Sequence, residues 1–232
     1  MSESCKWLHQ QLEQLPMISY PFDLKDLPKN GIYFFYEEGE LWEHGGNKKR
    51  IVRIGTHKKE NFRSRINDHY LFSKSKMNFD KDKSPPHDRS IFRKNIGRAI
   101  LNRDEDKYLS VWEIDFMKKD NRNKYAYLRD IQKEKEIEEE ITDLLRNLFS
   151  FRFIVLGSEN ERMGSSGLES LLIGTLSQCS KCKPSKNWFG RYSPIDKIRK
   201  SGLWQVQHLN SPSIKDQETI NITRAIKETS AL

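Results

Sequence analysis

The sequence predicts an α+β fold: a small, mainly antiparallel sheet flanked by helices, with an N-terminal helix and a helical insertion. Strand-like runs rich in aromatic and β-branched residues (IYFFYE, IVRIG, LSVWEIDFM, FRFIVL) are spread along the chain. Between them lie segments whose apolar residues recur at helical spacing. The 12 Phe, 8 Tyr and 5 Trp are enough to seed a core, which argues against wholesale disorder.

Residues 3–15 read as an amphipathic helix with Trp7, Leu8, Leu12 and Leu15 on one face. Pro16, Pro21 and Pro28 punctuate the next stretch, which ends in the turn signal Lys29-Asn30-Gly31. A hairpin follows, Ile32–Glu37 and Ile51–Gly55, joined by a polar segment that carries Gly39, Gly45 and Gly46. Residues 60–72 form a helix with Phe62 and Ile66 on one side, and the Lys-rich, Pro-containing stretch 73–88 is expected to be a mobile loop. Residues 90–101 are a second helix, 109–117 a third strand, 125–150 a long helix whose run KEKEIEEEI is largely a solvated face, and 151–156 a fourth strand. Helices at 168–177 and 194–201 complete the core, and the tail after Leu209 is expected to be a surface helix or partly disordered. The chain divides into an N-terminal helix and linker (1–26), a main domain (27–209) with a charged insertion at about 124–150, and a tail (210–232).

Composition narrows the function classes. There are 41 Lys+Arg against 33 Asp+Glu, a net charge of +8 that suits a polyanionic partner. No apolar run approaches the roughly 18 residues of a membrane span. The opening MSESCKWLHQQLEQL lacks the apolar stretch of a secretory signal. Three cysteines are too few for a disulfide framework and point to a reducing, cytoplasmic setting. Cys179-x-x-Cys182 has the spacing of half a zinc site, but a second pair is missing and Cys5 and His208 are scattered, so it is set aside.

The informative constellation is Gly31-Ile32-Tyr33, then Arg53-Ile54-Gly55-Thr56, then Arg65-x-x-x-His69, then Glu169. Four residues apart on a helix, Arg65 and His69 share a face. A hairpin followed by that helix would bring Tyr33, Arg65 and His69 to one cleft. A tyrosine, an arginine, a histidine and a distant carboxylate suit phosphodiester cleavage. The carboxylate would hold a divalent cation, the cation and arginine would neutralise the phosphate, and tyrosine or histidine would handle the proton of an attacking water.

These motifs resemble the GIY-YIG nucleases. The first motif is intact at residues 31–33, and the second stands as Arg53-Ile54-Gly55, with arginine where the family usually has tyrosine. The helix arginine matches Arg65, the histidine of some restriction-type members matches His69, and the metal-binding glutamate matches Glu169 in LESLLIG. Segments RIVRIGTH, SIFRKNIGRAI, SKNWFGRYS and SGLWQVQH are similar to those of bacterial members, so the likeness spans about residues 27–209. The resemblance implies a DNA endonuclease dependent on Mg²⁺ or another divalent cation such as Mn²⁺, restriction-like in one version, with a homodimer as one way to cut both strands. It implies catalytic roles for Tyr33, Arg53, Arg65 and His69, and a metal role for Glu169.

Plainer readings stand beside each of these. Tyr33 could be a core aromatic, Arg65 a surface residue and His69 a cap. Ser166-x-x-Glu169 is also a capping-box pattern, and Glu136, Glu138, Glu139 and Glu140 are rival carboxylates. Arg93, Lys94 and Arg98 are candidate phosphate contacts or an ordinary solvated face. Asn187 either corresponds to the family's asparagine near the metal or serves the turn beside Trp188. The alternative function is a nucleic-acid-binding protein of this fold with impaired cleavage.

Overall fold

The computed structural model describes residues 2–44, 48–72 and 74–231. Its centre is a four-stranded antiparallel sheet in the order β1 (Ile18–Ser19), β4 (Phe149–Ile154), β2 (Ile32–Leu41), β3 (Lys49–Gly55). Helices α1 (Ser2–Leu12), α2 (Phe62–Tyr70), α3 (Pro86–Arg89), α4 (Ile91–Arg103), α5 (Leu109–Trp112), α6 (Lys119–Tyr125), α7 (Ile131–Leu148), α8 (Glu159–Arg162), α9 (Leu168–Ser177), α10 (Asp196–Ser201) and α11 (Asp216–Ser230) surround it. The α+β class expected from the sequence is what forms.

Because successive strand residues point to opposite faces, β2 feeds two cores. Ile32, Phe34 and Tyr36 face a layer that includes Leu8 and Leu12 of α1, Leu172 and Ile173 of α9, and Ile222 and Ile226 of α11. Tyr33 and Phe35 face the other way, against Phe62 and Ile66 of α2, Phe92 and Ile96 of α4, and Ile141 and Leu145 of α7. Buried on both sides, β2 reads as a continuous apolar run rather than an alternating one.

Three expectations are corrected. Residues 109–117 form no strand: Leu109–Trp112 is a helical turn, and Trp112 and Phe116 are buried anchors. The Trp112 indole stacks on His87 at 3.6 Å and donates to the Lys94 carbonyl at 3.1 Å. It lies over Gly97, where a Cβ would meet the ring at 2.3 Å, so the alternation in LSVWEIDFM reflects packing onto α4. The remaining strand is instead the short β1. Of the stretch 73–88, Ser73 lies outside the described residues, and the turn at 80–83 is tied down rather than loose: Arg129 Nη1 donates to the carbonyls of Asp80, Lys81 and Lys83, while its Nη2 meets Glu134 at 2.6 Å. Glu134 and Glu138 of the charged run are buried, not solvated, each paired with an arginine. The tail forms a helix, one of the two expectations for it: α11, whose Ile222, Ala225 and Ile226 pack into the first core. Gly45 and Gly46 of the hairpin loop lie outside the described residues. No helix among the described residues is long and apolar enough to cross a membrane.

Candidate active site

The site grows from the register of β2. Tyr33 pairs with Phe153 on one side and Gly55 on the other. A Cβ at Gly55 would sit 2.3 Å from the Tyr33 hydroxyl, so the glycine is what lets the phenol lie across β3. Gly31 is required in the same way, since a Cβ there would meet the Ile154 carbonyl oxygen at 2.4 Å. The strand ends are tied together: Thr56 Oγ1 donates to the Gly31 carbonyl at 2.8 Å, the Gly31 N–H donates to His57 Nε2 at 3.2 Å, and Arg162 donates to Thr56 Oγ1 at 3.0 Å.

Tyr33 Oη lies 3.0 Å from His69 Nε2, and His69 Nδ1 lies 2.8 Å from Ser90 Oγ. Ser90 is the N-cap of α4 and already accepts the Arg93 N–H at 3.3 Å. Neutral His69 has one donating and one accepting nitrogen, so the chain runs either from Tyr33 to Nε2 and from Nδ1–H to Ser90, or in the reverse sense, and Ser90 can accept the Arg93 N–H in both. Burial, together with the charges of Arg65, Arg53 and Arg93, holds the His69 pKa well below its ordinary value, so the ring is neutral at pH 7. Histidine and tyrosine are thus joined in a buried hydrogen-bonded chain with Ser90, and Tyr33 is at the same time part of the aromatic core around Phe35 and Phe62.

Arg53 reaches the same face by pairing directly with Phe35, just before a register slip that adds Val52 to that side. Phe35 pairs with Arg53 but Tyr36 with Ile51, so one extra residue is accommodated, and Val52 and Arg53 both lie on the Phe35 side. Its guanidinium stands over Phe92 at 4.8 Å and donates to the Trp204 carbonyl at 2.5 Å and Gln205 Oε1 at 2.8 Å. Trp204 is itself fixed by its N–H to the Val52 carbonyl at 2.8 Å. Arg65, one turn before His69, donates to the Arg89 carbonyl at 2.7 Å. Among the described residues, no carboxylate lies within 4.0 Å of either guanidinium.

Glu169 opens α9, but its N-cap is Gly167 and no side chain caps the helix, so the capping box does not form. The carboxylate turns instead to β3, where Oε1 accepts the Thr56 N–H at 3.2 Å. It has no Lys or Arg within 4.0 Å among the described residues. Burial raises its pKa, and the charges of Arg53, His208 and Arg65 oppose that rise, which places all four groups in one electrostatic neighbourhood. A half-buried carboxylate with a free oxygen and no salt-bridge partner fits a hard divalent cation that keeps most of its waters.

Thr56 and Arg65 line an open cleft of about 400 Å³ with His57, Lys58, Asn61 and Ser64. A larger hollow of about 500 Å³ lies under the 73–88 stretch and contains none of the five residues.

The fold therefore assembles Tyr33, Arg53, Arg65, His69 and Glu169, and turns the expected phosphate contacts of α4 elsewhere. Arg93 is 0 % exposed and is bound to Glu138 at 2.6 Å. Lys94 is buried against Asp88 at 2.8 Å, and Arg98 is bound to Glu113 at 2.5 Å. These cations are directed at carboxylates within the protein, so the solvated basic face expected of this helix does not exist. Asn187 is exposed on the turn before Trp188, its own N–H bonded to Ser185 Oγ at 3.2 Å, and touches none of the five. Of the rival glutamates, Glu138 is occupied by Arg93 and His87, and Glu140 meets Arg103 at 3.3 Å.

Sequence reasoning assigned no role to Ser90, which fixes the histidine, to Trp204 and Gln205, which hold Arg53, or to His208 beside Glu169. His208 has a left-handed backbone (φ 61°), the one local sign that its placement is specific.

No curated protein and no solved structure matches the chain. The profile of the GIY-YIG domain matches residues 5–231. With its two glycine-ended strands, the tyrosine–histidine relay and the carboxylate on α9 already in place, that match over almost the whole length makes the chain a member of the GIY-YIG nuclease family.

Proposed function

We propose that the protein is a divalent-metal-dependent DNA endonuclease that hydrolyses phosphodiester bonds. The observation that carries this reading is the Tyr33–His69–Ser90 relay, set beside two arginines that have no carboxylate partner and a carboxylate that has no cation partner. Family membership supports DNA as the substrate.

Glu169 would hold Mg²⁺ or Mn²⁺, which supplies charge neutralisation at the scissile phosphate. In the tautomer whose Nε2 is free to accept, neutral His69 holds the Tyr33 hydroxyl and the phenol oxygen's lone pairs orient the attacking water; if Tyr33 takes that water's proton, its own passes to His69 Nε2. Arg65, at the edge of the cleft, binds the phosphate oxygens. Arg53 stays protonated and is anchored by Trp204 and Gln205, so it contributes fixed positive charge rather than a base. Site-specific, restriction-like cutting belongs to this proposal, and cleavage of both strands with one such site per chain would call for two chains.

The test is cleavage of supercoiled plasmid by purified protein with Mg²⁺ or EDTA, alongside Glu169→Ala. Cutting that needs the metal and disappears in the variant is expected, with discrete bands if a defined site is read. A second reading, binding without cleavage, is favoured by one feature: Arg53 fills the place of the second tyrosine and cannot accept a proton. Plasmid retarded on a gel but left uncut by the wild-type protein, on branched and methylated substrates as well, would decide for it.

A further inference from the structure

Away from the cleft, on the opposite side of the sheet, the three cysteines of the chain converge. Cys179 and Cys182 were set aside in the sequence because Cys5 stands far from them, and the fold removes that objection. α1 packs against α9, and the Cys5 sulfur belongs to two clusters whose potential ligand atoms all lie within 4.8 Å of one another: one with His9 and Cys182, the other with His44 and Cys179. Cys5 and Cys179 are fully buried, Cys182 is 6 % exposed, and all three are free thiols.

Two histidines compete for a fourth position, and their hydrogen bonds separate them. His9 Nε2 accepts the Ile51 N–H at 3.2 Å, which puts its proton on Nδ1, 2.9 Å from the Cys5 carbonyl oxygen. Both of its nitrogens thus have a backbone partner, Nδ1 also lying 3.7 Å from the Cys5 sulfur, and its ring is stacked on Trp42 at 5.3 Å. His44 makes no backbone bond among the described residues. Its Nε2 points at the Cys179 sulfur at 3.1 Å, and its ring leans on the other side chain of the hairpin end, Trp42, at 5.6 Å.

We propose that Cys5, Cys179, Cys182 and His44 form a closed Zn²⁺ site that clamps α1 and the loop after α9 to the end of the β2–β3 hairpin. Three sulfurs and one imidazole are a ligand set of structural zinc. Cys5 is the sulfur common to the two clusters, and tetrahedral bonds of about 2.0–2.3 Å would require the Cys182 sulfur to move from the His9 group toward Cys179 and His44. Soft thiolates select zinc over the hard cation expected at Glu169, so the two sites do not compete for one metal. Binding transfers the thiol protons to solvent, with no change in oxidation state. His9 acts here as a positioning residue, holding the Cys5 turn of α1 against β3 through Ile51.

The full chain, purified under reductant, should carry about one zinc by elemental analysis. Glu169→Ala should keep it, His44→Asn should lose most of it, and Cys182→Ser should lose all of it. Because a serine variant can fail to fold, the wild-type protein gives an independent measurement. After chelator treatment it should bind one Co²⁺ with the visible absorption of tetrahedral thiolate-bound cobalt, Zn²⁺ should bleach that colour, and each metal should raise the melting temperature. A reduced wild-type protein that neither carries zinc nor develops the cobalt spectrum would overturn the proposal. So would an intact mass two hydrogens lighter with no metal bound, which would mark a disulfide. Loss of metal in His9→Asn with retention in His44→Asn would overturn the ligand set.

Discussion

Two groups of arginines border the same aromatic core and are used in opposite ways. Arg53 and Arg65 donate only to neutral oxygens, those of Trp204, Gln205 and Arg89. Arg93 and Arg98 close on the carboxylates of Glu138 and Glu113. Positive charge compensated inside the protein has nothing left for a phosphate, whereas charge held by carbonyl dipoles remains available to an anion. What separates the two groups is therefore the kind of acceptor each is given, and not exposure: Arg53 is 5 % exposed, yet among the described residues no carboxylate lies within 4.0 Å of it.

The comparison can be broken most severely at Arg93. Arg93→Ala leaves Glu138 buried with only His87 beside it and no arginine, and a loss of about 3–5 kcal/mol is expected in denaturant melts. A loss below about 1 kcal/mol would mean that the pair is not the structural element described here. Next comes Arg65→Ala, for which plasmid cutting should fall about 10²–10³-fold with the melting temperature nearly unchanged. If stability falls instead and the residual protein cuts normally, Arg65 belongs with the paired group. Smaller again is an effect of pH. Burial pushes the Glu37 carboxyl up to about 7, although Trp188 Nε1 and Trp204 Nε1 both donate to it. A raised carboxyl pKa favours the fold while the group is protonated, so this contribution is complete below its ordinary value of 4.5 and is lost as pH rises through about 7. Glu37→Gln should therefore stabilise the protein at pH 8, by up to about 3 kcal/mol, and give little at pH 5. Equal effects at both values would show that Glu37 does not titrate in this range. The smallest change is expected from Arg98→Ala, about 0.5 kcal/mol or less, with DNA affinity and its salt slope unaltered. A shallower slope would return α4 to the phosphate-binding surface.

The same contrast explains how far the sequence could be read. Tyr33, Arg65, His69 and Glu169 were legible because their chemistry is tied to order and helical spacing, which a string of letters preserves. Arg93 and Arg98 were not, since the partner that neutralises Arg93 is 45 residues away, on a helix whose acidic run looked solvated. The strand expected at 109–117 failed for a related reason: alternation records which side chains are buried, and Trp112 is buried against Gly97 of a helix rather than in a sheet. β1, two residues long, has too little sequence to carry a period. Cys5 was dismissed on distance along the chain, which the packing of α1 on α9 cancels.

The cation that gathers the 73–88 segment has its own experimental meaning. Arg129 collects the carbonyls of Asp80, Lys81 and Lys83 much as a bound calcium ion collects loop oxygens, but it is covalently part of the chain and is backed by a buried glutamate. Nothing can dissociate from such a clasp on dilution or chelation, and a buried pair is only weakly screened by salt. The backbone of residues 80–83 is thus expected to keep its position across an ionic-strength series. The steepness of any polyanion binding curve will then count ions released from the polyanion, uncontaminated by a loop that melts as the salt is raised.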